Sequence, residues 1–343
     1  MTNSAFFRNL YAKCKMHGAG EAQVVISDGE LYALLSIAID DLQWSHADFG
    51  ASRVYTPNPD YYKIPLSWFD QQAKEDITSS EVESVLRSAF EKDNDFGLYI
   101  ENLTALHRRR VKYRRILAAQ PMPNMDQIGP RSLLEYGCCE STLLANWMVW
   151  RKWIYDVDNR SAQETGYLFE PLLASCLGGE PVGSKNSPVK RLDSNGQPTS
   201  KGRQIDCLVP GNNRTYELKL RVTIAASGQG RFGEELSFAE ESQAAGFIPV
   251  LLVLDPTPST RLTELSEKYI SCGGAFYHGE AAWQHMEEEA GEVISVFIEN
   301  YIRPAIQGIE EVEIYFPKSI NLSWSENEIR VSDNSASYVV QRV

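Results

Sequence analysis

Several common classes of protein are excluded by what this chain lacks. Its six cysteines are Cys14, Cys138, Cys139, Cys176, Cys207 and Cys272. None are spaced as CxxC, and no histidine pair completes a zinc set, so no zinc module is expected. Reduced thiols in a cytoplasmic protein are the natural reading. No run of about 18 or more apolar residues exists, so no transmembrane helix is expected. The first residues, MTNSAFFRNLYAKCK, lack the charged-then-apolar order of a signal peptide. The five histidines have no catalytic company, and neither a GxSxG nor a Walker-type loop occurs. Internal repeats are absent as well.

Positive charge is scarce overall. With 33 Lys/Arg against 46 Asp/Glu, the formal net charge is −13, which at first argues against a nucleic-acid partner. The distribution says otherwise. Residues 101–231 hold 19 Lys/Arg and 12 Asp/Glu, a net of +7, and the rest of the chain holds 14 and 34, a net of −20. A basic middle between acidic flanks is the charge pattern of a local DNA groove, with chance clustering as the alternative.

What is present suffices for a large core: 43% of 343 residues are hydrophobic, enough for one large domain or two. Residues 1–130 read as mostly helical. GELYALLSIAIDDLQW reads as a buried helix. SSEVESVLRSAFEKD opens with serines as caps and puts Val82, Val85, Leu86 and Ala89 on one face. DFGLYIENLTALHRRRVKYRRILAAQ is a helix with a basic end, and PMPNMDQIGP reads as a loop and boundary. ESTLLANWMVWRKWIYDV is a Trp-rich helix expected to pack tightly, its tryptophans read as core rather than base-stacking. SAQETGYLFEPLLASCLGG is a further helix ending at Gly178-Gly179, with Pro171 either kinking or splitting it. Residues 183–202 read as a flexible polar loop. RQIDCLV and TYELKLRVT, joined by PGNNR, form a hairpin. A helix follows from ELSFAEESQAAG. FIPVLLVLD is a strand buried on both faces. Helix, short strand and long helix complete an α/β order, and the tail after 308 alternates like a β-hairpin.

The strand TYELKLRVT carries the chemistry. Period two puts Tyr216, Leu218, Leu220 and Val222 on one apolar face, and Thr215, Glu217, Lys219, Arg221 and Thr223 on the other. A carboxylate and an ammonium thus project side by side from a pinned strand. The short turn brings Asp206, on the preceding strand, across from Glu217. Phosphodiester hydrolysis must neutralise phosphate charge, activate a water and stabilise a leaving alkoxide. Mg²⁺ held by one or two carboxylates can supply all three. Asp206 and Glu217 are the metal candidates, with the backbone carbonyl of Leu218 as a further oxygen. Lys219 would orient or deprotonate the water, or hold a phosphate oxygen; its role stays open here. No other ExK or DxK occurs in the chain. An exposed ion-pair ladder on an edge hairpin is the alternative, and the surrounding α/β order argues against it.

Further candidates surround this core. Glu164 and Glu170 lie six apart on the helix before the hairpin; Glu170 is the better placed to reach a metal, and a surface glutamate is the competing view for either. Arg221, Thr223, Ser227, Gln229 and Arg231, set among glycines, suit phosphate and base-edge contacts, or belong to an ordinary turn. HRRRVKYRR includes Arg108, Arg109 and Lys112, which read either as phosphate contacts or as a helix end paired with acidic neighbours. Lys185, Lys190, Arg191, Lys201 and Arg203 in the polar loop would order on DNA, or decorate a plain flexible loop.

At these residues the chain resembles the PD-(D/E)xK nucleases: IDCLV precedes YELKL, with Ile205 where the family pattern has Pro. The longer strings ELKLRVTIAASGQGRFGEELSFAEE and GFIPVLLVLDPTP resemble the ApaLI-like type II restriction endonucleases, over roughly residues 130–305. The resemblance implies a restriction-endonuclease-like α/β core, a mixed sheet flanked by helices, spanning 131–308. A mostly helical region at 1–130 would serve DNA binding or dimerisation, and 309–343 would form a hairpin tail. It also implies Asp206, Glu217 and Lys219 as catalytic, Mg²⁺ as cofactor, and a homodimer cutting double-stranded DNA at a short palindrome, for which the family's namesake specificity is GTGCAC. A structure-selective repair nuclease on the same core, or a DNA-binding protein without chemistry, are the rival readings.

Overall fold

The protein is described by a computed structural model covering residues 4–16, 24–55, 57–220, 228–310 and 320–343. Its N-terminal part is helical, as expected. α1 (Ser4–Lys15) precedes α2 (Asp28–Asp41), whose sequence is apolar all round. Every residue from Leu31 to Ile39 is accordingly buried. α3 (Leu66–Gln72) leads to α4 (Ser79–Lys92), which buries Val82, Val85, Leu86 and Ala89. Its cap is Thr78 rather than a serine. Thr78 stands three residues before Glu81, the spacing a reciprocal capping box requires. α5 (Phe96–Ala119) is the central helix of this half. The proline-bearing segment after it is not a plain loop. It contains α6 (Met125–Ile128), capped by Asn124, and a 3₁₀ turn over Gly129–Leu134.

α7 (Ser141–Cys176) joins the two helices expected on either side of residue 160 into one of 36 residues, unbroken at Pro171. At about 1.5 Å per residue it is roughly 54 Å long, longer than the core it packs on. The expectation for its tryptophans therefore holds only in part: Trp153 is buried, Trp150 partly so, and Trp147 is 52% exposed.

Beyond Gly178, in the left-handed region at φ +70, the chain enters the sheet. β1 (Glu180–Val182) pairs antiparallel with β4 (Ile205–Val209), which pairs antiparallel with β5 (Arg214–Lys219). Between them, β2 (Lys190–Leu192) and β3 (Pro198–Gly202) form a small hairpin. That hairpin corrects the flexible loop expected for 183–202. Arg191 and Arg203 pin it to the body by ion pairs that a loop reading from Gly, Ser and Pro content does not foresee.

α8 (Gly228–Ala244) follows, beginning earlier than ELSF. Then come β6 (Ile248–Val253), α9 (Thr260–Ser271), β7 (Ala275–His278), α10 (Glu280–Phe297) and α11 (Arg303–Glu310). β6 runs parallel to both β5 and β7, which gives a five-stranded mixed sheet in the order β1-β4-β5-β6-β7. The continuous apolar run of β6 is explained by burial on both faces. The tail is a three-stranded antiparallel sheet, not a hairpin: β8 (Asn321–Trp324), β9 (Glu328–Ser332) and β10 (Ser337–Gln341). Among the described residues no helix is long and apolar enough to cross a membrane.

Two apolar cores cover the sheet's faces. On one, Tyr216, Leu218, Val250 and Leu252 meet Leu172 and Leu173 of α7 and Trp283 of α10. This core continues without a break into α1–α5. Tyr99 and Tyr301 tie the halves together by donating to the same Asp41 carboxylate. On the other face, Leu251 and Val253 meet Phe238 of α8 and Leu262, Leu265 and Tyr269 of α9.

The junction between α7 and the sheet is tight. A Cβ on Gly179 would lie 2.5 Å from Cys207 Sγ and 2.6 Å from the Leu208 carbonyl oxygen. Gly179→Ala is therefore expected to cost about 1–3 kcal/mol of stability, read as a lower midpoint in thermal or urea unfolding. A midpoint equal to wild type would contradict this packing.

Candidate active site

The hairpin places its chemistry as the strand period requires. β4 and β5 pair with Cys207 opposite Tyr216 and Leu208 opposite Thr215. The same register carries Asp206 opposite Glu217. Asp206 is fixed further by the backbone N–H of Leu218, which donates to its Oδ2 at 3.1 Å. Glu217 and Lys219 share a face, and Lys219 Nζ donates to Glu217 Oε1 at 2.6 Å. The three residues singled out from the sequence thus converge on one spot, at the sheet face covered by α8 and α9.

One member of the site was missed from the sequence. Glu235 of α8 pairs with Lys219 at 3.1 Å, and its other oxygen, Oε2, is buried without a hydrogen-bond partner. Glu235 lies on the helix face that also buries Phe238, Ala239 and Ser242. That is the i, i+3, i+4, i+7 stripe of an inward face. A glutamate on the inward stripe of Phe238 and Ala239 was the signal available.

The electrostatics are unbalanced. Burial, and then the charge of Glu217, push the Asp206 carboxyl up to about 8 against the opposing pull of Lys219. Burial also raises Glu170 on α7, and Glu217 adds to it, so Glu170 shares the field of the site. Burial works against the Lys219 ammonium, yet the carboxylates of Glu217, Glu235 and Asp206 outweigh it and raise its pKa. Three carboxylates, Asp206, Glu217 and Glu235, thus surround one largely buried ammonium, with the more exposed Glu170 adding its field, the charge imbalance that a divalent cation relieves. The donors are oxygens, which suit a hard cation. Among the described residues no three His, Cys, Asp or Glu side chains already surround a common metal position. Lys219 lies between Glu217 and Glu235 instead.

The other candidates divide. Glu164 is taken by Arg109 at 2.5 Å and Lys112 at 2.8 Å, which leaves Glu170 as the α7 carboxylate near the site. Arg108 is corrected from a phosphate contact to an internal cap. It is buried and donates to the carbonyls of Lys13 and Cys14 at the end of α1. Arg114 pairs with Asp70, and Arg110 lies over the Tyr61 ring. Most of the basic run therefore bonds within the protein. Arg203 is likewise corrected: it is buried and paired with Glu234 and Glu241. Arg191 shares Glu234, and Lys190 donates to the Ser187 carbonyl. Lys185 and Lys201 remain exposed. Gln229 and Arg231 fall in the first turns of α8, while Arg221, Thr223 and Ser227 lie outside the described residues. Because Arg109 and Lys112 already bind Glu164, replacing either with Ala is expected to leave the salt dependence of DNA binding unchanged. A phosphate contact would instead reduce the slope by about one unit.

A mixed sheet flanked by helices, with a carboxylate-rich and lysine-bearing cluster on its central hairpin, has the construction of a restriction-endonuclease-like nuclease. The chain belongs to the ApaLI-like restriction endonuclease family, whose model matches residues 53–303. That span takes in most of the helical N-terminal part as well as the sheet. Among its relatives, the Type II restriction enzyme ApaLI of Acetobacter pasteurianus is 50% identical over 262 residues, covering 75% of this chain and 68% of that protein. No solved structure matches the chain.

Proposed function

We propose that the chain is a type II restriction endonuclease that cuts both strands of double-stranded DNA at a short palindrome, acting as a homodimer with Mg²⁺. The observation that carries this is the convergence of Asp206, Glu217 and Lys219 on neighbouring strands, in a site with more negative charge than its own residues balance. Membership of the family supplies the DNA substrate.

Asp206 and Glu217 are the residues that would hold the ion, with the Leu218 carbonyl and Glu170 as further oxygens. When bound, Mg²⁺ supplies Lewis acidity to the scissile phosphate and lowers the pKa of the attacking water. Lys219 does the positioning. The carboxylates around it keep its ammonium charged before an ion binds; a bound ion would offset those carboxylates, so Lys219 would either donate to the water or a phosphate oxygen or accept the water's proton. Glu235 on α8 holds the ammonium together with Glu217 on β5. In-line attack by the water, with its proton lost to Lys219 or to solvent and the leaving 3′ oxygen taking one up from solvent, would leave 5′-phosphate and 3′-hydroxyl ends. Lys185 and Lys201 on the hairpin side, Gln229 and Arg231 in the first turns of α8, and Arg221, Thr223 and Ser227, which precede it in sequence and lie outside the described residues, are the side chains proposed to meet DNA.

Digesting a sequenced plasmid with purified protein and Mg²⁺, and mapping the ends, tests this. Discrete fragments with ends at one palindrome, GTGCAC being the first to check, are the expected result. Nicking confined to branched or damaged DNA would replace the proposal with a repair nuclease. Binding without cutting under all metal conditions would replace it with a non-catalytic DNA-binding protein.

A further inference from the structure

α7 and the 3₁₀ turn before it leave a large apolar surface uncovered. Leu133, Leu134, Tyr136, Leu143, Trp147 and Ile154 are between 44% and 89% exposed. A full-size side chain of this kind presents about 150–250 Å², so these fractions amount to on the order of 700 Å². That exceeds the roughly 300–600 Å² of the largest patch on a typical monomer. It approaches the about 800 Å² each partner contributes to a standard interface. Leu133, Leu134, Leu143 and Ile154 offer a phosphate backbone neither charge nor hydrogen bonds, so most of the patch is better suited to an apolar partner than to DNA.

The spacing points to the occupant. Leu143, Trp147, Trp150 and Ile154 follow one another at intervals of four, three and four. This is the stripe of a helix–helix seam, and it reads the same in both directions. Two antiparallel copies of the helix would set Leu143 against the other copy's Ile154, and Trp147 against its Trp150. Trp150 is partly covered already by Trp153 and its cluster; its free part and the rest of the stripe are then covered by the stripe itself, as an isologous two-fold contact requires.

We propose that this face of α7, with the adjoining turn, is the surface on which a second copy of the chain packs. The inference rests on the nuclease reading only in that a two-fold protein matches a two-fold DNA site.

Sedimentation velocity on the full chain tests it. Wild type is expected to sediment as a dimer at micromolar concentration. The variant Leu143→Asp with Ile154→Asp is expected to be monomeric with an unchanged circular dichroism spectrum, because both positions are exposed. A dimer that survives in the folded double variant, or a monomeric wild type, would overturn the proposal. Loss of the dimer supports it whether or not cleavage is detected; absence of cleavage by the wild-type dimer counts against the nuclease reading alone.

A second experiment reads the orientation. In a background with the exposed Cys138 and Cys139 replaced by Ser, Leu143→Cys and Ile154→Cys are introduced together. Within one helix they are about 16 Å apart, beyond the reach of a short bismaleimide. Covalent dimers are expected from the antiparallel contact, and their absence under conditions where wild type is dimeric would overturn that arrangement.

Discussion

Lys219→Ala and Glu217→Ala are each expected to lower the rate of double-strand cleavage by at least about 10²–10³-fold, the usual loss when one preorganised charge at the reacting centre is removed. Duplex affinity should change by only a few fold, since neither side chain is proposed to bind DNA away from the scissile phosphate. The two failures differ in kind. Without Glu217, one of the two strand carboxylates proposed to hold the metal is gone, and Lys219 is left paired with Glu235 alone. Without Lys219, the carboxylates keep their places but lose the ammonium that partly offsets them, so metal affinity should rise while turnover falls. Lys219→Arg should not restore activity: the guanidinium is planar and wider, and it forks between oxygens instead of acting as a point charge. Single-turnover cleavage and filter binding on the same duplex separate rate from affinity. Cleavage near the wild-type rate by either alanine variant would remove that residue from the site.

The second large effect concerns pH in the absence of metal. Asp206 is raised to about 8 in the folded protein, by burial first and by Glu217 second, against about 3.9 in an unfolded chain. Between those values the folded state binds the proton that the unfolded state has released, so stability falls as pH rises through the window. Above about pH 8 and below about pH 4 the contribution is flat. Two buried histidines, His107 and His285, are lowered by burial, and they act with the opposite sign near their ordinary range. The comparison therefore belongs above about pH 6.5, the unperturbed histidine value. In a chelator, the unfolding midpoint is expected to fall by several degrees from about pH 6.5 to about pH 8.5, a loss on the order of 2 kcal/mol. Asp206→Asn should flatten the slope and stabilise the metal-free protein at the alkaline end. Saturating Mg²⁺ should remove the slope in wild type, because the ion takes the proton's place. An identical slope in Asp206→Asn would show that the carboxyl is not strained by its neighbours.

How much of this was legible in the sequence varies by element. Period-two patterning located Asp206, Glu217 and Lys219, because a strand's alternation and a short turn fix facing and register together. β6 was legible because burial on both faces demands an unbroken apolar run. Glu235 was not found, since strand logic does not reach a helix that folds over the sheet from sixteen residues further along. The basic residues misled in a consistent way. Arg108, Arg203 and the Arg109–Lys112 pair are partnered by Lys13, Glu234 and Glu164, all distant in sequence. A local charge count cannot register such partners. The β2–β3 hairpin was hidden for the same reason, being held by Arg203 and Arg191 to α8 and not by its own apolar pattern. The unbroken α7 shows a different limit: Pro171 and the change in composition near residue 160 suggested a break, and packing on both sides of the proline overrode them.

The claim on which the account turns is that acidic side chains from β4 and β5 grip a divalent cation. Calorimetric titration of the protein with Mn²⁺ near pH 7.5, in two buffers of different ionisation enthalpy, measures this directly. Wild type should bind with release of up to about one proton per site, because Asp206 holds one before the ion arrives. Asp206→Asn and Glu217→Gln should each give little heat and no proton release. Binding of unchanged affinity in both variants would place the ion elsewhere and contradict the account.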